Sequence, residues 1–307
     1  MFKLKIIYII IIILIFLFLA LRHLENIKVC MCTIGKEENL YAREFVNFYK
    51  EKGVDKIFIY DNNINNGEKF ESVLLNYINS GYVEIIDYRN VQYPQIKAYQ
   101  DCYKKNFKKF DYLMFYDMDE FIFLRNFSNI KAFLTQKIFD KCQSIQLNWF
   151  FHTDNDLLYY DNRSLEERFP EKRKRWDITK SEGVKTILKG NINIDISEIH
   201  QLNPNLTSCD GFGKIRKIKG FMTKEIDYYY NYIDHYFTKS TEEFINKVIK
   251  RGDAVRGHNI NWKMRRINLY FVLNHITLSK INYIENKTKF NLSKFRSIYM
   301  NMKTKKK

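Results

Sequence analysis

Four short apolar runs between Lys28 and Tyr116, separated by three stretches with helical spacing, limit this chain more than any other feature. Lys28–Ile34 (KVCMCTI) reads as a buried strand. Glu37–Lys52 places Leu40, Phe45, Phe48 and Tyr49 on one side of a helix, which Gly53 ends. Val54–Tyr60 is a second strand, closed by the turn-prone Asp61-Asn62-Asn63. Gly67–Ser80 reads as a helix ending at Gly81, Tyr82–Tyr88 as a third strand, and Pro94–Phe107 as a helix with proline near its start. Asp111–Tyr116 (DYLMFY) is a fourth strand and runs into Asp117-Met118-Asp119-Glu120. Repeats of this length call for an α/β fold with a doubly wound, mostly parallel sheet. In such sheets ligands sit beyond the carboxyl ends of the strands. Three of these ends are polar: Thr33-Ile34-Gly35, Asp61-Asn62-Asn63 and Asp117-Met118-Asp119. They should gather along one edge.

Composition sets the outer bounds. A chain of 307 residues that is 46% apolar has enough material for a well-buried core, which excludes disorder over most of its length. The three prolines and eleven glycines exclude collagen-like and low-complexity chains. The net charge is +16, but Ile, Asn, Lys, Phe and Tyr are abundant together, the bias of an AT-rich coding sequence. Where the charge is functional, anionic lipid head groups and phosphorylated substrates are the matching partners. Cys30, Cys32, Cys102, Cys142 and Cys209 are odd in number and sparse, and Cys30 and Cys32, one residue apart, read as buried strand residues. Sequons stand at Asn126, Asn162, Asn205, Asn286 and Asn291, a pattern that an Asn-rich chain also produces by chance.

Ile6–Leu21 is uncharged throughout and spans about 24 Å as a helix. With Leu4 and a snorkelling Lys5 it reaches about 27 Å, just enough for a thin bilayer. Its end lacks the small-x-small pattern of a cleavage site. The segment is expected to be an uncleaved single-pass membrane anchor. Lys3 and Lys5 on one side balance Arg22, Lys28 and Lys36 on the other, so charge gives no orientation.

Asp-x-Asp after an apolar strand offers two carboxylates at a strand end. Hard divalent cations take one or two such carboxylates together with phosphate oxygens, so Mn2+ or Mg2+ held there could neutralise a leaving diphosphate. Glu120 is expected to face back into the protein. The chain has no phosphate-binding P-loop and no Rossmann glycine fingerprint after the first strand.

Several motifs now fall in one order: Cys32-Thr33-Ile34, Gly53-Val54-Asp55 with Ile59-Tyr60-Asp61-Asn62, Gln95-Ile96-Lys97-Ala98-Tyr99 with Asp101-Cys102, and Tyr116-Asp117-Met118-Asp119-Glu120-Phe121. Leu147-Asn148-Trp149, Glu167-Arg168-Phe169, Lys185-Thr186-Ile187 and Asp234-His235-Tyr236-Phe237-Thr238-Lys239-Ser240 continue it. From about Lys28 to about Arg251 the chain resembles glycosyltransferase family 92 and its family-2-like relatives, which have a GT-A fold. The resemblance implies a nucleotide-sugar donor and a divalent metal, usually Mn2+. It implies that Thr33 and Asp61 face the nucleoside, that Asp117 lies near the ribose or the metal, and that Asp119 binds the metal. Gln95 and Lys97 would reach the diphosphate or the donor sugar, and His235 would complete the metal shell, with His200 as second choice. Gly35-Lys36-Glu37-Glu38 departs from the Lys-Asn-Glu run of relatives, and Phe150–Asp154 lacks the Gly/Ser run of many animal members.

The second half should supply the acceptor side. Ser144–Phe151 is a strand, and Asp154–Phe169 a loop and short helix lining the cleft. Inverting transfer needs a carboxylate to take the acceptor proton; Glu166 and Glu167 are the candidates, with Asp154 and Asp210 in reserve. His152, His258 and His275 are weaker site candidates. Ser240 followed by Glu243 predicts an N-capped helix over Thr241–Arg251. Lys172-Arg173-Lys174-Arg175 reads as a solvated loop and Lys303–Lys307 as a frayed tail. No nucleic-acid-binding signature is present.

The expected layout is an anchor and linker over 1–27, a GT-A-like domain over 28–285 with a nucleotide-sugar half (28–140) and an acceptor half (141–285), and a basic tail over 286–307. The expected function is membrane-anchored, metal-dependent transfer of a sugar, with inversion, to a glycan or lipid-linked acceptor. The alternatives are a metal-dependent nucleotidyl- or phosphotransferase and a catalytically silent glycan-binding module.

Overall fold

The computed structural model describes residues 9–12, 27–173, 182–216, 222–252 and 259–304. Most of the Ile6–Leu21 segment lies outside these residues, and among the described residues no helix is long and apolar enough to cross a membrane.

The first half is built as its apolar periodicity requires. Strands β1 (Val29–Gly35), β2 (Lys56–Asp61), β3 (Val83–Asp87) and β4 (Tyr112–Phe115) lie parallel in the order β3-β2-β1-β4. Helices α1 (Asn39–Glu51), α2 (Glu71–Asn79) and α3 (Pro94–Asn106) make the crossovers. Alternate residues of β1 serve opposite faces. Val29 and Met31 join the core that includes α1, while Cys30 and Cys32 pack with Ala98, Tyr99 and Cys102 of α3. Burial on both faces explains why β1 reads as a continuous apolar run. The inner face of α1 is Tyr41, Ala42, Phe45, Val46 and Tyr49; Leu40, expected on that face, is exposed.

The second half departs from the mostly parallel expectation. It holds β5 (Glu120–Leu124), β6 (Ser144–His152), β7 (Lys172–Arg173), β8 (Glu182–Lys189), β9 (Ser208–Cys209), β10 (Ile215–Arg216), β11 (Met222–Thr223) and β12 (Asn231–His235). β8 runs antiparallel to both β4 and β6, and β12 is antiparallel to β5 but parallel to β6. Twelve strands thus form one mixed sheet. Parallel neighbours need crossovers of a dozen or more residues, usually helical. Among the described residues between β6 and β12 the only α-helix is the four-residue α4, preceding β7, at Leu165–Arg168.

Cys30 and Cys32 are buried in β1 as expected, and two cysteine pairs are bonded besides. Cys32 of β1 is bonded to Cys102 of α3, and Cys142 to Cys209 of β9, leaving Cys30 free and buried. The pairs are 70 and 67 residues apart, so spacing gives no hint of them.

The expected C-terminal tail is largely helical. After α5 (Thr241–Phe244) and a π-helical turn over Ile245–Arg251 come α6 (Ile260–Leu273), α7 (Leu278–Thr288) and α8 (Ser293–Thr304). Phe295 packs against Phe271 with ring centroids 4.3 Å apart, and Arg296 pairs with Glu285. These contacts fold the segment back onto the domain. Lys305–Lys307 lie outside the described residues.

Candidate active site

Strand register builds the site. Gly35 lies opposite Asp61, and Cys32 opposite Phe115, so Asp117, two residues beyond Phe115, falls at the edge where β1 and β2 end. The chain turns through Met118 and Asp119 into β5, whose first residue, Glu120, pairs with His235 at the end of β12. β8, crossing antiparallel, brings Lys185 to the same place from the other direction.

Each acid of this edge meets a cation. The Lys185 ammonium lies 2.9 Å from Asp117 Oδ2 and 3.4 Å from Glu120 Oε2, with no exposure to solvent. Asp117 Oδ1 accepts hydrogen bonds from Gln95 Nε2 (2.9 Å) and Tyr99 OH (3.1 Å). Glu120 faces inward as expected: Oε1 accepts from the Trp149 indole (2.9 Å) and Oε2 from the Asp117 amide (3.0 Å). Asp119 pairs with Lys247 of the π-helical turn, and His235 Nε2 lies 3.7 Å from its Oδ2. The His235 ring is packed against Trp149 and Phe151.

The electrostatics follow from these partners. Burial pushes Asp119 upward, but Lys247 and His235 outweigh it and hold the carboxyl well below its ordinary range. Burial likewise opposes, and Lys185 overcomes, in the lowering of Asp117. For Glu120 burial wins over Lys185, aided by Asp117 and Asp119, and its pKa rises well above the carboxylate range. Burial lowers His235, while Asp119 pulls the other way.

A second set of charges closes the edge. Glu38, at the start of α1, receives Arg251 at 2.6 Å and Lys239 at 3.5 Å. The Lys239 ammonium sits 3.3 Å from the centre of the Tyr41 ring. Glu37 and Lys239, on either side of this pairing, both have left-handed backbone (φ 53° and 51°), uncommon for residues with a side chain. Ser240 and Glu243 form the predicted capping box, and Glu243 also binds Tyr41 and Arg168.

The nucleoside-side candidates are buried at the strand ends. Thr33 Oγ1 and Asn63 Nδ2 have no hydrogen-bond partner. Asp61 is fully buried, accepting the Asn63 amide (2.9 Å) and pairing with Arg89. Gln95 is joined to Asp117, whereas Lys97 is exposed on the same helix.

The three carboxylates expected to act as base are not brought to this edge by any contact. Glu167 is exposed, its oxygens closing the capping box on Ser164 at the start of α4. Glu166 is exposed in the same turn. Asp154 is buried beyond β6 against Lys280 (2.8 Å) and the Tyr270 hydroxyl. It borders a polar cavity of about 280 Å³ that Thr153, Asp156, Lys172, Arg173 and His275 also line. Asp210 accepts the Phe212 and Lys214 amides in a turn. Among the histidines, His200 packs edge-on to Trp149 and burial lowers its pKa to about 3. His152 is held by Asp234 (2.8 Å) and the Phe169 carbonyl. His275 is exposed beside Asp156, while His258 and Lys174-Arg175 lie outside the described residues.

The residues expected to hold a metal do not fit one as arranged. Both Asp117 oxygens are engaged by Lys185, Gln95 and Tyr99, and an ammonium stands against Asp119. Among the described residues no three His, Cys, Asp or Glu side chains converge as a metal site. The reason is a set of cations to which the sequence alone assigns no role: Lys185, Lys239, Lys247 and Arg251. One signal for Lys185 was available. A lysine inside the apolar strand run GVKTIL can be buried only beside an acid.

A sequence model of a family described as Glycosyltransferase family 92 matches residues 25–287. The chain belongs to this family. Membership makes it a glycosyltransferase by class, and the matched span contains every residue of the edge described above. No curated protein matches the chain. Among solved structures it is similar to GalNAc-T7 with UDP, GalNAc and Mn2+ (14% identity, 43% of this chain and 24% of that chain, TM-score 0.31). It is also similar to S. aureus TarS (13% identity, 81% of this chain and 44% of that chain, TM-score 0.35) and to TarS 1–349 in complex with UDP-GlcNAc (13% identity, 85% and 79%, TM-score 0.35). The family 92 chain therefore spans about a quarter of the first and under half of the second.

Proposed function

We propose that this family 92 chain transfers a sugar from a nucleoside-diphosphate sugar to a glycan or lipid-linked acceptor at the β1–β2–β4 edge. The observation that carries the reading is the convergence, at one parallel-sheet edge, of unpartnered Thr33 and Asn63 atoms with the acid–cation set around Asp117 and Asp119. Ligands of open α/β sheets bind at this place. Thr33, Asn63 and Asp61 border the nucleoside, and the Asp117–Gln95–Tyr99 cluster fixes the ribose and diphosphate side. In the transfer, the acceptor oxygen bonds to the anomeric carbon. The bond from that carbon to the β-phosphate oxygen breaks, and its electron pair leaves on the nucleoside diphosphate. The acceptor proton goes to a carboxylate; Asp154, Glu166 and Glu167 remain the residues to test, and inversion is the expected outcome. The chain's own ammonium groups, which stand against the carboxylates that Mn2+ or Mg2+ would need, lie at this edge to meet the charge of the leaving diphosphate.

The anchoring of the domain by Ile6–Leu21 belongs to the same proposal, and the two cysteine pairs favour the oxidising side of the membrane. Alkaline extraction of the full chain checks the anchor: recovery in the soluble fraction would remove it. The activity is tested with a panel of nucleotide sugars. Release of nucleoside diphosphate, lost in Asp119→Asn, is expected; release of pyrophosphate would instead indicate nucleotidyl transfer.

A further inference from the structure

Two of the four cations at the edge, Lys185 and Lys239, are buried, with side-chain exposures of 0% and 3%. The other two, Lys247 and Arg251, keep 20% and 15% of their side chains in contact with solvent. They stand four residues apart on the π-helical turn Ile245–Arg251, and such turns are frequent at functional sites. Residues at this spacing share nearly one face of the turn. Lys247 reaches Asp119, and Arg251 reaches Glu38 Oε1 and the Lys36 carbonyl. Around Glu38 and Asp119, three cations (Lys239, Lys247, Arg251) meet two carboxylates in direct ion pairs, with Glu243 and Glu37 acting from farther off. Two of these cations, Lys247 and Arg251, keep a solvent-facing side that an anion could reach. A further observation points to an absent ligand: Thr33 Oγ1, Asn63 Nδ2 and His235 Nδ1 are buried at the same strand ends without partners.

We infer that Lys247 and Arg251 are the chain's own grip on the donor diphosphate, with the Lys247 ammonium standing against Asp119 where a divalent ion would need that carboxylate. The inference rests on the nucleotide-sugar reading and adds its charge chemistry. Without donor, Asp119 and Glu38 keep the two cations in place. When donor enters, the phosphate oxygens share them. Arg251, with its planar fork, suits two phosphate oxygens, and Lys247 acts as a point charge. Negative charge that develops on the β-phosphate as the sugar leaves then meets a fixed ammonium.

The test is calorimetric titration of UDP into the full chain, once in excess EDTA and once in Mn2+. Wild-type affinity in EDTA should lie within about threefold of that in Mn2+, and Lys247→Met should weaken it about tenfold or more, as loss of a charge-assisted contact does. Lys247→Arg should recover most of the affinity. Thermal melts show whether the variants are folded, and the wild-type comparison stands without them. Binding that appears only with Mn2+, or that Lys247→Met leaves unchanged, overturns the inference while leaving the donor reading intact. No UDP binding in either buffer overturns both.

Discussion

Replacing Lys185 by methionine isolates the charge balance of the edge. The side chain is fully buried, so its removal leaves an apolar chain of similar size beside the fully buried Glu120 and beside Asp117, whose side chain is one-third exposed. At 2.9 Å from Asp117 the ammonium contributes a gross attraction of about 6 kcal/mol at an effective dielectric of about 20; Glu120, 3.4 Å away, adds less because burial favours its protonated form. Desolvation of the lysine offsets much of this. Breaking a buried pair by deleting one partner typically costs about 3–5 kcal/mol. For a domain of this size, about 2–4 °C of melting temperature accompanies each kcal/mol, so a fall of about 6–20 °C is expected.

The pH dependence of this loss has a definite sign. Without Lys185 the folded-state pKa of Asp117 rises above its unfolded value, and that of Glu120, already raised, rises further. The folded state then binds the extra protons, and the variant's deficit grows as pH rises above about 4. Adding Asp117→Asn should recover a large part of the loss, because Glu120 takes a proton readily in its buried position. Differential scanning calorimetry across pH 4–8 on both variants measures this. A Lys185→Met protein that melts within about 2 °C of wild type at pH 7, or whose deficit shrinks as pH rises, is incompatible with this charge balance.

Gly183 lies under the Trp149 ring, where an added Cβ would come 2.1 Å from the indole; Gly183→Ala should displace the ring, break its bond to Glu120 and cost about 1–3 kcal/mol in urea unfolding. Alkylation of the native chain should label no cysteine, unfolding without reductant should expose Cys30 alone, and reduction should release four more. His200 has its pKa lowered by burial from about 6.5 to about 3, so its contribution is complete above 6.5 and is lost as pH falls toward 3. In His200→Gln the stability–pH slope over that window should flatten by up to about 1.4 kcal/mol per pH unit. Glu167→Gln keeps a side chain that can close the capping box on Ser164 and should leave both the melting temperature and UDP affinity unchanged, the latter in the same calorimetric titration.

The parallel half of the fold was legible because each of its elements obeys a local rule. The β1 run is buried on both faces and Pro94 opens α3; outside that half, Ser240 caps α5 with Glu243 by an equally local rule. Thr33, Asp61, Asp117 and Asp119 could be drawn to one place because strand ends of a parallel sheet meet at one edge, whereas Gln95 and His235 were added by the family resemblance. The antiparallel half was less legible. Its short strands, β7 and β9–β11, carry two residues each and have no period to read. The partners of the acids were hidden for a related reason. Lys185, Lys247 and Arg251 lie far from Asp117–Glu120 in sequence, and in a chain so rich in lysine nothing marks which cations are buried. Glu166 and Glu167 drew attention as an acidic pair, but Glu167 serves the first turn of α4, where carboxylates also favour helix formation.

How this chain works depends on where the diphosphate binds, and a crystal structure of the full chain with UDP or a UDP-sugar locates it. The diphosphate is expected at the ends of β1, β2 and β4, within hydrogen-bond distance of Lys247 or Arg251, with the nucleoside against Thr33 and Asn63. A nucleotide seated elsewhere, such as the polar cavity beside Asp154 and His275, with the Asp119–Lys247 pair undisturbed, would be irreconcilable with a donor site at that edge.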